Sequence, residues 1–195
     1  MGYIDIDTLK RGIFAAVLAA VLAACAGAPS SPAAAAPVAP TANIEIERYL
    51  GRWYIIANIP NRAENGRVRS YVEYGRTAGG AVSSDYVSAQ DFVAPLEKPV
   101  ADTPAWLSGP TPRWPIRFNW AVSRDYQVLY VDPEYRYAVA GHPSRDYVWI
   151  LAREPRVPDD RYAQLLELLD AQGYDSSRVL KVPQISDQEG APGFQ

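Results

Sequence analysis

The sequence predicts an all-β fold, an eight-stranded antiparallel barrel followed by one C-terminal α-helix and a short final strand. Three observations carry this. Short segments rich in β-branched and aromatic residues recur from Tyr49 onward, turn residues separate them, and a single amphipathic stripe appears late in the chain. Eight strands are enough to close a sheet on itself.

The elements follow in order, and the first is not a strand. Lys10 and Arg11 precede an apolar run from Gly12 to Ala24. That run falls short of the roughly 20 residues that a bilayer-crossing helix needs, so it reads as the core of a signal peptide. Residues 26–42 are dominated by Ala, Pro, Ser and Gly and carry no charge, the composition of a proline-stiffened tether. The layout expected is a leader over 1–24, Cys25 and the tether to 44, a folded domain over 45–184 and a flexible tail over 185–195.

Within the domain, Trp53 to Ile59 is the first strand, with Trp53, Ile55, Ala57 and Ile59 on one face and Tyr54, Ile56 and Asn58 on the other. Arg67 to Arg76 and Ala81 to Ser88 flank Thr77-Ala78-Gly79-Gly80, whose glycines permit a tight hairpin. Val100 to Ser108 and Trp114 to Trp120 are strand-like, but Pro95, Pro99, Pro104, Pro110, Pro112 and Pro115 punctuate them. Proline is confined to edges, bulges and strand starts, so this region is expected to be irregular. Tyr126 to Val131 and Arg136 to Ala140 form a hairpin through Asp132-Pro133-Glu134-Tyr135, and Tyr147 to Arg153 is the eighth strand. Pro158-Asp159-Asp160 opens the helix, Tyr162, Leu165, Leu166, Leu168 and Leu169 make its stripe, and Gly173 stops it. Arg178 to Val182 is the short last strand.

Composition excludes several kinds of chemistry. With 19 Lys and Arg against 22 Asp and Glu, the net charge is −3 and the arginines are scattered among acids. No basic stripe exists to bind nucleic acid. One Cys forms no intramolecular disulfide, and one His makes no multi-histidine zinc site, so neither metal nor cofactor is expected. No Ser, Cys or Thr lies in a nucleophile motif. His142, between Gly141 and Pro143, reads as a turn residue, and Asp159 and Asp160 suit a helix start. No catalytic residue is therefore assigned, and the protein is not expected to be an enzyme. The distinguishing feature is its rings, 5 Trp, 13 Tyr and 4 Phe.

Two sets of motifs resemble known families. Leu22-Ala23-Ala24-Cys25 resembles the lipobox of bacterial lipoproteins, which implies lipid attachment at Cys25. Ala26, where the resemblance would put an Asp in a protein retained at the inner membrane, implies an outer-membrane address. Gly51-Arg52-Trp53-Tyr54 resembles the Gly-x-Trp signature that opens the first lipocalin strand. Val131-Asp132-Pro133-Glu134-Tyr135-Arg136 is similar to that family's second motif, with Val-Asp-Pro where many members have Thr-Asp-Tyr. Arg145 to Arg153 resembles its eighth strand with the terminal Arg. The resemblance spans about residues 45 to 184 and points to bacterial outer-membrane lipoprotein lipocalins. It implies an up-and-down barrel in which Gly51, Trp53, Asp132, Tyr135 and Arg153 are structural. Trp53 is large enough to plug one end, and by the family pattern Arg153 lies over its indole.

Such a barrel implies a cup for lipids such as fatty acids or lysophospholipids, held in the envelope as monomer or homodimer and serving membrane maintenance under stress. Alternate strand positions nominate Ile55, Ala57, Tyr86, Trp106, Phe118, Trp120, Tyr126, Val128, Tyr137, Tyr147 and Trp149 as its wall. Tyr86, Tyr126 or Tyr147 with Arg117 or Arg124 would orient an anionic head group. The competing readings are an envelope interaction module with a vestigial pocket and an enzyme acting on a lipophilic substrate.

Overall fold

The computed structural model describes residues 44–80, 82–105, 113–117 and 123–195, with side chains at 44–80, 82–98 and 127–195. A one-turn helix α1 (Ile46–Tyr49) leads into β1 (Gly51–Asn58), β2 (Val68–Arg76), β3 (Val82–Ala89), β4 (Glu97–Ala105), β5 (Arg113–Arg117), β6 (Ser123–Val131), β7 (Tyr137–Gly141) and β8 (Val148–Ala152). Helix α2 (Asp159–Ala171) and the two-residue β9 (Leu180–Lys181) follow. Every ladder is antiparallel, and the hydrogen-bonded order is β4-β3-β2-β1-β8-β7-β6-β5. First and last strands of the meander pair, and the ends of that order, β4 and β5, lie against each other.

This topology explains the prolines. Pro99 and Pro104 lie in β4 and Pro115 in β5, the strands at the two ends of the hydrogen-bonded order, where a missing N–H interrupts fewest ladder bonds. The region expected to be irregular therefore contributes two strands.

Two clusters of buried side chains occupy the two faces of the sheet. One contains Trp53, Ile55, Val72, Tyr86, Val128 and Trp149 and lies inside the barrel. The other contains Ile56, Ala57, Val139, Val148 and Ile150 and packs against Leu165 and Leu169 of α2. Leu165 and Leu169 are one helical turn apart, the spacing that puts two residues on one face, and both are fully buried. Burying a leucine is worth about 1.5–3 kcal/mol, so α2 is held by packing on the sheet's outer face and leaves the interior to strand residues.

The alternation breaks in β1. Ile55 pairs with Leu151 but Ala57 with Ile150, so Ile56 is an extra residue opposite a continuous β8. The bulge turns Ile56 and Ala57 both outward and Asn58 inward, where it pairs with Trp149. Ala57, placed by simple alternation on the face of Trp53 and Ile55, belongs to the helix-packed cluster instead. Ile59 goes with it.

β1 also changes partners. It pairs with β2 through Gly51 to Tyr54 and with β9 through Ala57 and Asn58. Residues 180–184 are inserted between β1 and β2 on that side. Val182 N–H donates to the Ile56 carbonyl at 2.8 Å, and Arg69 N–H donates to the Pro183 carbonyl at 2.8 Å. Gln184 Nε2 bridges the carbonyls of Ile55 and Ser70 at 2.7 and 3.0 Å. Residues 185–195, expected as a flexible tail, run back along the domain, and Gln195 N–H donates to the Lys181 carbonyl at 3.0 Å.

Candidate functional site

The interior has two unlike ends. At the first, Trp53 is fully buried and its Nε1 donates to the Tyr49 carbonyl at 2.7 Å. The Arg153 guanidinium sits 3.9 Å from the indole centroid. Its three nitrogens donate to main-chain carbonyls of Tyr135 at 3.3 Å, Arg52 at 2.7 Å and Arg48 at 2.7 Å. One cation thereby joins α1, β1 and the β6–β7 turn over a ring. Burial lowers the Arg153 pKa from the ordinary arginine value. Gly51 has φ +88°, a region that side chains other than glycine's rarely enter, and it lets β1 start beside that guanidinium.

The β6–β7 turn is built for the same end. Asp132 Oδ1 accepts from the amides of Arg136 and Tyr137, both at 2.6 Å, and Tyr135, at φ +56°, accepts on its hydroxyl from the Glu45 amide at 2.8 Å. Tyr49 stacks obliquely on Trp53 and Tyr74, with centroids 4.9 and 5.3 Å apart. The five residues singled out by motif therefore meet around one closed end.

At the opposite end the interior is polar. Glu64, in the β1–β2 loop, is only 3% exposed. Its Oε2 accepts from Asn58 Nδ2 at 2.7 Å, Asn61 Nδ2 at 2.7 Å and Trp149 Nε1 at 2.9 Å. Burial raises the Glu64 pKa, and these donors oppose the rise. Tyr86 OH lies 3.3 Å from Ser70 Oγ, and its pKa is pushed up to about 12, chiefly by burial and then by Glu64. Arg67 donates to Ser88 Oγ at 2.9 Å and pairs with Glu97 at 2.8 Å. Gln195 ties the arrangement down, donating to Asn58 Oδ1 at 2.6 Å and accepting from the Gly66 amide at 3.2 Å.

Of the wall residues nominated by sequence, Ile55, Tyr86, Val128 and Trp149 lie in the interior cluster, and Tyr147 packs against it, stacked on Trp149 at 6.3 Å and 11°. Ala57 and Tyr137 do not. Ala57 is displaced by the bulge. Tyr137 opens β7 with Ala138 and Ala140 inward, so its ring faces out toward α2, near Arg161 at 5.3 Å. Trp106, Phe118 and Trp120 lie outside the described residues, as does Cys25, and the side chains of Tyr126, Arg117 and Arg124 lie outside those described. Glu64, Asn58, Ser70 and Gln184 were not nominated. An acid within Asn61 to Gly66 reads as a solvated turn residue, and only its partnership with Trp149, 85 positions away, marks it.

His142 shares a turn with Ser144, whose Oγ lies 2.9 Å from Nδ1. Among the described residues no group of three or more His, Cys, Asp or Glu is placed to hold a metal ion. A groove of about 570 Å³ lies outside the barrel, between the start of α2 and the C-terminal segment, floored by Ile56, Val157, Tyr162, Val182 and Phe194. Lys181 Nζ lies over the Tyr162 ring there at 4.6 Å.

The chain matches the family described as lipocalin-like domain over residues 44–184. It is 34% identical over 153 residues to temperature-induced lipocalin-1 of Arabidopsis thaliana, covering 72% of this chain and 80% of that protein. To outer membrane lipoprotein Blc of Escherichia coli K12 it is 30% identical over 177 residues, covering 88% and 95%. Insecticyanin from the tobacco hornworm Manduca sexta has a similar structure, with a TM-score of 0.58 at 18% identity over 80% of this chain and 89% of that one. Lobster apocrustacyanin A1 gives 0.57 at 16% over 73% and 81%. With strands, helix and capped tryptophan in the places the motifs require, the chain belongs to the lipocalin family, with bacterial outer-membrane lipoproteins among its relatives.

Proposed function

We propose that this protein is a lipid-anchored lipocalin of the bacterial envelope that binds amphipathic lipids inside its barrel and stores or carries them. The observation that carries this reading is the interior face itself. It is apolar from Trp53 through Ile55 and Val128 to Trp149, closed at the Trp53 end, and not filled by α2, which packs outside. An acyl chain enclosed there gains about 25 cal/mol per Å² of apolar surface removed from water. Ile55, Tyr86, Val128, Tyr147 and Trp149 are the proposed wall, with Trp106, Phe118, Trp120 and Tyr126 as further members on sequence grounds. Binding rather than catalysis is the proposed role, in keeping with the family.

Cys25 is the proposed lipid attachment point, and the outer-membrane address rests on the lipobox resemblance and on relatives that are outer membrane lipoproteins. Titration of tryptophan fluorescence with a fatty acid tests the binding. A saturable response is expected, and none at all would refute it. Metabolic labelling with palmitate tests the anchor. Label is expected on the wild type and not on Cys25→Ser, which should leave the membrane fraction. Protein extracted from membranes without lipid but with a tight protein partner would favour an interaction module instead.

A further inference from the structure

We propose that the Glu64 end of the interior selects amphiphiles whose head group donates hydrogen bonds, an ammonium or a hydroxyl, over those with a carboxylate head. This rests on the reading of the interior as a lipid site and names its head-group chemistry.

Glu64 Oε2 takes all three donors that reach this carboxylate among the described residues, which leaves Oε1 to accept more. Gln184 spends both of its Nε2 hydrogens on the Ile55 and Ser70 carbonyls, and its Oε1 is buried with no donor. Asn58 gives one Nδ2 hydrogen to Glu64 and accepts from Gln195. The indole N–H of Trp149 is committed to Glu64. Buried polar groups are nearly always paired, and an orphaned one costs free energy that an incoming donor recovers. Gln184 and Glu64 are both tied to β1, Gln184 through the Ile55 carbonyl and Glu64 through Asn58 three residues on, and Gln184 also holds the carbonyl of Ser70, whose Oγ meets Tyr86 OH.

Charge points the same way. Among the described residues, the cation that reaches this cluster is Arg67, and it is paired with Glu97 at 2.8 Å. With Glu64 ionised, the three groups sum to one negative charge. A carboxylate head would bring a second negative charge and no donors. An ammonium would bring donors and the opposite charge, and a hydroxyl would bring a donor alone. Charge-assisted hydrogen bonds in a site shielded from water are the strong ones.

The test compares three amphiphiles with one chain, dodecylamine, dodecanol and dodecanoate, by displacement of a fluorescent acyl probe from the wild type, Glu64→Gln and Gln184→Leu. The wild type should bind the amine tightest and the carboxylate weakest, with about tenfold or more between them. Glu64→Gln should lower amine affinity by about tenfold and leave or improve that of dodecanoate. Gln184→Leu should weaken amine and alcohol alike. Circular dichroism shows which variants fold, and the wild-type ranking is decisive if either fails to. Dodecanoate binding as tightly as dodecylamine, or a folded Glu64→Gln with the wild-type ranking, overturns the head-group assignment while the lipid site stands. No displacement by any of the three overturns the lipid site and this assignment together.

Discussion

The two ends of the barrel interior solve opposite problems with the same materials. At the Trp53 end a guanidinium meets an electron-rich ring and three carbonyl oxygens, so its donors are spent and its charge is spread over α1, β1 and the β6–β7 turn. At the Glu64 end a carboxylate is buried with three donors on one oxygen, and Gln184 Oε1 nearby has none. At the first end the cation's donors are spent, and the buried Asp132 Oδ2, which takes no hydrogen bond, lies 3.8 Å from Arg136 Nε; at the second, Glu64 Oε1 and Gln184 Oε1 accept from no described donor. A cluster built on a fully bonded cation contributes stability and ignores what is bound. A cluster with spare acceptors gives up some stability and discriminates. The contrast predicts that mutations at the two ends separate folding from selectivity.

The largest effect should come from Trp53→Ala, which empties the closed end. Truncating a buried tryptophan costs about 3–5 kcal/mol, read as a lower denaturation midpoint in urea. A change under about 1 kcal/mol would break the view of Trp53 as the plug. Gly141→Ala should follow. A Cβ there would lie 2.8 Å from Tyr174 Cζ and 2.9 Å from Leu129 Cδ1, and such overpacking costs about 1–3 kcal/mol. Because Tyr174 docks the end of α2 by donating to the His142 carbonyl at 2.9 Å, amide exchange in α2 should quicken in this variant.

Arg153→Ala tests whether the two ends act independently. Loss of the cation over the ring and of its carbonyl contacts should cost about 1–2 kcal/mol, lowering the Tm with no change in the ranking of ligands. An altered ranking would mean that the two ends are not independent.

The smallest expected effect is one of pH. The Glu64 pKa is raised in the folded state, so the fold holds that proton more tightly than the unfolded chain does. Its contribution to stability is fully present below the unfolded pKa, near 4.5, and is lost as pH rises through the higher folded value. Each tenfold difference in proton affinity is worth about 1.4 kcal/mol. Denaturation curves across that window should show stability falling with pH in the wild type, and a shallower fall in Glu64→Gln. Identical slopes would remove Glu64 as the titrating group.

The closed end was legible in the sequence because its parts are local signatures. Gly51-Arg52-Trp53, Asp132 to Arg136 and the terminal Arg153 each lie at a strand boundary, where residue type is tied to backbone shape. The strands and α2 were legible from periodicity, and even β4 and β5 announced themselves through prolines whose meaning depends on topology. The other end was not. A single extra residue in β1 inverted the face of Ala57, and alternation cannot reveal where a bulge falls. Tyr137 drew notice as a ring, while the small Ala138 and Ala140 took the inner positions. Glu64, Asn58 and Gln184 acquire their roles from partners 85 to 137 positions away, and no local pattern encodes such meetings.

The insertion of residues 180–184 between β1 and β2 has a consequence for the order in which the fold is assembled. β1 to β3 can pair as soon as they emerge, and the Trp53 end is complete once Arg153 has appeared. The seam beside Ile55 to Asn58 must wait for Gln184, which arrives 129 residues after Ile55. Contacts so distant in sequence form late, because the entropy of closing the intervening loop must be offset first. A chain truncated before residue 180 would therefore hold its tryptophan plug and still gape on one side, so the selective end of this barrel is also the last part of it to be built.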